Sequence, residues 1–177
     1  MEQNATRNQS FEEIMNTYGE EIKRFILMYV RDAAAADDLV QEVFLKVYLN
    51  LDTFEDRSGL RTWIYRIAVN QCKDYFRSWH YQRVKLTETF DFLNRKTDLT
   101  PEIKLLKKSE DHALAQNILS LSPKYREIIL LYYYRDFSME EIASLLNLKA
   151  STVRTRMQRA REQLKKKIEG EDFGAKG

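Results

Sequence analysis

Cysteine occurs once in this chain, as Cys72, which excludes an intramolecular disulfide framework and a zinc-finger ligand set. His80 and His112 are the only histidines and stand 32 positions apart, so they do not suggest a metal site. Glycine (5) and proline (2) are scarce among 177 residues, which favours helices over a turn-rich β architecture. No run of 18 apolar residues occurs, and the polar start MEQNATRNQSFEE has no signal-peptide core. These absences predict a soluble, cytoplasmic protein without direct membrane insertion. No Gly-rich phosphate loop and no clustered Asp/His/Cys set marks a catalytic centre, so neither an enzyme nor a cofactor is expected.

What the chain does contain is apolar material, at 44%, and aromatics, with ten Tyr and nine Phe. Such rings fill the thin core of a small helical domain, and Tyr and Trp also stack on unpaired bases. Charge is unevenly spread. Residues 1–53 carry a net −5, residues 54–86 a net +4 and residues 149–168 a net +7. Two basic zones suggest two places where a polyanion is gripped, although solvated helix faces produce similar runs.

Helical periodicity dominates. Phe11, Ile14, Met15, Tyr18, Ile22, Phe25, Ile26, Tyr29 and Val30 recur at intervals of three and four. Asp32 suits the N-cap of a second helix, whose stripe is Leu39, Val40, Val43, Phe44, Val47, Tyr48 and Leu51. Asp52–Ser58 reads as a loop. Ser58 is placed to cap a third helix that buries Leu60, Trp63, Ile64, Ile67, Ala68, Cys72, Tyr75 and Phe76. Residues 86–100 lose this pattern and read as a linker. Thr100-Pro101 and Ser122-Pro123 then look like two helix starts, an N-cap followed by proline. Helix continues to about Ile168, with a frayed tail beyond. The expected fold is all-α: two small helical domains, 10–85 and 101–168, joined by the linker 86–100.

The most informative stretch is DFSMEEIASLLNLKASTVRTRMQRAREQLKKK, residues 136–167. Ser138 and Glu141 form a capping box that opens a short helix with Ile142, Ala143, Leu145 and Leu146 facing inward. Asn147–Ala150 makes a turn, and Ser151 is placed to cap the next helix. Val153, Met157, Ala160 and Leu164 line one side of it; Arg154, Gln158, Arg161 and Lys165 line another, flanked by Arg156 and Arg159. Two short helices on a tight turn, the second one basic, make a helix-turn-helix. Buried αα-hairpins share that shape, but four arginines within eight residues opposite an apolar face favour DNA. An α-helix fits the major groove, where arginine forks reach guanine O6 and N7. Arg154, Gln158 and Arg159 are the base-contact candidates; Arg156, Arg161 and Lys165–Lys167 look like phosphate contacts.

The third helix carries a polar row of Arg66, Asn70, Lys73 and Arg77. Such a row can follow a nucleic-acid backbone. Among the interleaved aromatics, Trp63 and Phe76 sit on the apolar side, whereas Tyr65, Trp79 and Tyr81 are placed to stack on exposed bases. Asp37, Asp38, Gln41 and Glu42 make the start of the second helix acidic. That acidity suits either the helix dipole or a protein-docking surface, and the residues alone leave both open.

Three segments in register resemble one family. DLVQEVFLKVYLNLDTF (38–54) resembles the polymerase-binding helix of sigma-factor region 2, and TWIYRIAVNQCKDYFR (62–77) its −10-element segment. FSMEEIASLLNLKASTVRTRMQRARE (137–162) resembles region 4, which reads the −35 element. Their order and short linker resemble the extracytoplasmic-function class of the sigma-70 family. The resemblance implies that Asp38, Leu39, Gln41 and Glu42 grip core RNA polymerase. It implies a −10 contact surface from Phe54, Arg57 and Ser58 with Arg66, Asn70, Lys73 and Arg77. It also places Ser151, Thr152, Arg154, Arg156, Gln158, Arg159 and Arg161 at the −35 DNA. Promoter DNA, core polymerase and an anti-sigma factor, often membrane-anchored, are the implied partners. The rival functions are a stand-alone helix-turn-helix regulator, which leaves the 38–54 match unexplained, an RNA-binding regulator, and, remotely, a small enzyme.

Overall fold

The structure is a computed structural model and describes residues 2–54, 59–78 and 111–174. The chain divides into two compact units, Met1–Phe90 and Asp91–Gly177. The expected linker 86–100, the Thr100-Pro101 helix start, Trp79 and Tyr81 lie outside the described residues. All regular elements among the described residues are helical.

The first unit is a three-helix bundle: α1 (Glu2–Val30), α2 (Ala33–Asn50) and α3 (Leu60–Arg77), each packed on the other two. Helix α1 starts well before the apolar stripe does and is about 43 Å long at 1.5 Å per residue. Its inward residues Ile14, Ile22, Phe25, Ile26, Tyr29 and Val30 are buried. The sharp reversal into α2 uses Arg31 in the left-handed region, at φ 64°. Asp32 then caps α2, its carboxylate accepting from the Ala35 amide at 3.0 Å. A 3-10 turn, Leu51–Thr53, ends α2 and puts Phe54 against Trp63, ring centroids 5.0 Å apart.

Three expectations for α3 change. Its N-cap position is Gly59, at φ 72°, not Ser58; glycine takes that conformation without a Cβ penalty. Tyr65, expected to stack on bases, is wholly buried. Its ring meets Phe25 edge-on at 5.2 Å and its hydroxyl donates to Glu21 at 2.6 Å. Tyrosine can be buried this way because the hydroxyl has found an acceptor. Trp63 and Phe76, expected in the core, are half-buried at its margin.

In the second unit, α4 (Asp111–Leu119) is followed by α5 (Pro123–Ile129), with Ser122 at the N-cap and proline in the first turn. A π-helical turn, Leu130–Tyr134, extends α5 and exposes Tyr133 and Tyr134. Helix α6 (Met139–Leu146) opens on the complete Ser138–Glu141 capping box and closes on Asn147, left-handed at φ 53°. Helix α7 (Ala150–Gly174) runs six residues past the expected end at Ile168. Val153, Met157 and Ala160 seat α7 on the other helices of this unit.

Candidate nucleic-acid interfaces and docking face

The geometry of α6 and α7 starts from local chemistry. The capping box satisfies two amide groups at the start of α6: Glu141 N donates to Ser138 Oγ at 3.2 Å, and Ser138 N donates to Glu141 Oε2 at 2.8 Å. Left-handed Asn147 lets the Leu148 amide reach the Ala143 carbonyl at 2.9 Å, which closes α6 and turns the chain into α7. Ser151 lies inside the first turn of α7 and is not its cap. Lys149 precedes the helix, and its carbonyl accepts from the amides of Thr152 and Val153 at 2.9 and 3.1 Å.

On the outer side of α7, Ser151, Arg154, Gln158, Arg159 and Arg161 are exposed and Thr152 is half-buried. Arg154 pairs with Glu140 at 3.0 Å, and Gln158 donates to Glu162 at 2.9 Å. Both are exposed contacts, weak enough for a polyanion or base edge to displace. Arg161 donates to the Tyr133 hydroxyl at 3.1 Å and lies over its ring. Arg159 makes no hydrogen bond or ion pair among the described residues, so its five donors are available. Arg156 departs from the sequence expectation of a phosphate contact. Its guanidinium turns inward to Glu127 at 3.4 Å; the glutamate side chain is 2% exposed and the arginine 29%. A carboxylate that deep needs a cationic partner, and Arg156 supplies it.

In the first unit, the expected row on α3 forms one face: Asn70 and Arg77 exposed, Arg66 and Lys73 half-buried. Arg77 has a loose ion pair with Asp74 at 3.6 Å. Phe54, half-buried on Trp63, adjoins the start of this helix. Arg57 and Ser58 lie outside the described residues.

Helix α2 presents Asp38, Gln41 and Glu42 outward. Leu39 is not exposed beside them: it is 6% exposed and sits in the core with Ala36, Val43, Phe44 and Val47. Two apolar residues that the sequence reading missed, Leu45 and Leu49, are exposed on α2, at 57% and 60%. They stand four and eight positions after Gln41, on the same side of the helix. The signal was present in the sequence, since both fall outside the buried stripe. Behind this face, the buried Gln71 of α3 donates its amide to Glu42 and accepts from Lys46, tying the acidic face to α3.

Among the described residues, no group of three His, Cys, Asp or Glu side chains is arranged to hold a metal. None of the described helices is long and apolar enough to cross a membrane.

Against this geometry, residues 14–80 match the family Sigma-70 region 2, and residues 112–164 match Sigma-70, region 4. The chain is 31% identical over 166 residues to the ECF RNA polymerase sigma factor SigW of Bacillus subtilis (strain 168), covering 90% of this chain and 89% of that protein. Two solved structures share the fold, each with a TM-score of 0.64. One is the sigma factor RpoE in complex with the anti-sigma factor NepR from Bartonella quintana, 19% identical, covering 91% of this chain and 98% of that one. The other is CnrH in complex with the cytosolic domain of CnrY, 22% identical, covering 92% and 90%.

Proposed function

The chain belongs to the sigma-70 family of RNA polymerase sigma factors, in its extracytoplasmic-function class, and from that premise we propose how its residues divide the work of initiation. It is a transcription initiation factor and not an enzyme; it binds core RNA polymerase and recognises promoter DNA, and bond-making belongs to the polymerase. The domain assignment that follows is region 2 over residues 10–85, a linker over 86–100 and region 4 over 101–168. Its site of action is the cytoplasm, where the polymerase works.

In region 4, α7 enters the −35 major groove. Arg154, Gln158 and Arg159 face base edges, with Ser151, Thr152, Arg161 and Lys165–Lys167 toward the phosphates. In region 2, Asp38, Gln41, Glu42, Leu45 and Leu49 dock on core polymerase, an acidic and apolar face that DNA would not take. The α3 row Arg66, Asn70, Lys73 and Arg77 follows the non-template strand at the −10 element, and Phe54, with Arg57 and Ser58 of the adjoining loop, meets an unstacked base. Unstacking costs a few kcal/mol per step, and stacking on an aromatic returns about 1–3 kcal/mol per base. An anti-sigma factor that masks these faces is the proposed control.

The observation that carries this reading is the division of one small bundle into an acidic, leucine-bearing outer face on α2 and a basic row on α3. A stand-alone regulator has no use for the first. The test is transcription in vitro with core polymerase and a library of randomised promoter DNA. Chain-dependent transcripts with a shared −35 and −10 sequence are expected. DNA binding without polymerase, with no transcript, would overturn the reading in favour of a regulator.

A further inference from the structure

Residues 2–13 precede the stretch that matches region 2, which begins at residue 14. They nevertheless form the first turns of α1, and one of them takes hold of the far end of α2. The Arg7 guanidinium lies over the Tyr48 ring, 4.4 Å from its centroid, and donates to the Tyr48 carbonyl. Its Nη1 lies 3.0 Å from Asp52 Oδ2. Two neighbours add to this grip: Asn8 Oδ1 accepts from the Tyr48 hydroxyl at 3.0 Å, and the Phe11 ring meets that of Tyr48 at 5.2 Å.

These contacts converge where α2 ends. The Tyr48 carbonyl already accepts from the Leu51 amide and takes Arg7 as a second donor, and the partial negative charge of a helix C-terminus favours a guanidinium there. An ordinary surface arginine keeps its head in water. The Arg7 side chain is only 22% exposed, and its buried Nε finds no partner among the described residues, a cost that a solvated side chain would avoid. Farther along α1, Glu21 binds Arg61 at 2.9 Å in the first turn of α3. Arg7 and Glu21 are fourteen residues apart, about 21 Å along the axis. Helix α1 is thus a bar that fixes both where the chain leaves α2 and where it starts α3.

We propose that Arg7 is a positioning residue for strand opening: it sets the direction of the chain at Asp52–Phe54 and thereby the placement of the Phe54 ring for an unpaired base. The proposal rests on the reading of Phe54 as part of the −10 contact surface. Arg7 itself touches no DNA; it acts through Phe54.

The test uses the full chain with core polymerase on the promoter selected by the wild type, with 2-aminopurine in the −10 non-template strand reporting opening. Arg7→Met keeps an apolar stem over Tyr48 but loses charge and donors. Opening is expected to slow about tenfold, with affinity for core polymerase unchanged, and Arg7→Lys should restore part of the rate. In a Phe54→Ala background, Arg7→Met should have little further effect, because residues acting as one unit are not additive. Wild-type opening by Arg7→Met overturns the proposal, and so do additive losses in the double variant or a matching loss of core binding. If Arg7→Met fails to fold, Asp52→Ala, at a side chain 64% exposed, removes the ion pair alone; it must then slow opening severalfold, and an unchanged rate overturns the proposal. A wild-type complex that never opens the −10 element, or a Phe54→Ala variant that opens it normally, fails the underlying reading of region 2 instead.

Discussion

Arg156 and Arg159 stand three residues apart on α7, and their surroundings give them opposite tasks. Arg159 is exposed and makes no hydrogen bond or ion pair among the described residues, whereas Arg156 neutralises the buried Glu127. Arg159→Ala should leave thermal unfolding unchanged and weaken −35-dependent promoter binding by about 1–3 kcal/mol, read by competition among −35 variants. Arg156→Met should lower stability by about 1–3 kcal/mol. The loss sits below that for a fully buried pair because the arginine side chain is 29% exposed. Chemical denaturation checks it. If Arg156→Met spared stability and reduced DNA binding alone, the inward ion pair would be irrelevant and Arg156 would return to the phosphate contacts.

At the scale of elements, α2 and the start of α3 carry most of the consequence. Leu45 and Leu49 are large apolar side chains left in water on a helix whose other leucine, Leu39, is buried. Covering such a leucine is worth about 1.5–3 kcal/mol. Leu49→Ser should therefore weaken core-polymerase binding roughly tenfold or more while circular dichroism and unfolding stay at wild-type values; unaltered co-purification with core would remove α2's outer face from the docking surface. Gly59 holds the start of α3 at φ 72°, with its carbonyl accepting from Trp63 N at 3.1 Å. Space is not the constraint, since a Cβ built there meets nothing within 4 Å; the backbone conformation is. Gly59→Ala should destabilise region 2 by about 1–2 kcal/mol, measured by urea unfolding, and a neutral result would mean that the turn relaxes elsewhere.

For the whole molecule, a net charge of +2 conceals an acidic N-terminal segment and a strongly basic α7. Promoter binding by the assembled complex should fall steeply with salt. Lys166→Ala should lower the slope of log affinity against log salt by about 1 if the lysine contacts a phosphate. Arg159→Ala, lost from a base edge, should change sequence preference and leave most of the slope. Titrating both variants across salt concentrations separates the two kinds of contact.

The sequence by itself determined the helices, the two-unit plan and the helix-turn-helix. Periodicity, capping chemistry at Asp32 and Ser138, the proline start at Pro123 and clustered arginine are local properties, legible without knowing what packs on what. The family followed from segments in register along the chain. Only the tertiary structure decided which members of each face were available. Tyr65 was withdrawn from the basic face because Phe25 and Glu21, some forty residues earlier, had a place for both its ring and its hydroxyl. Arg156 was turned inward by a carboxylate on another helix, and Arg7 reached Tyr48 and Asp52 only because α1 lies along α2. Burial and pairing across helices depend on residues far apart in the chain, and no local window of sequence contains both partners.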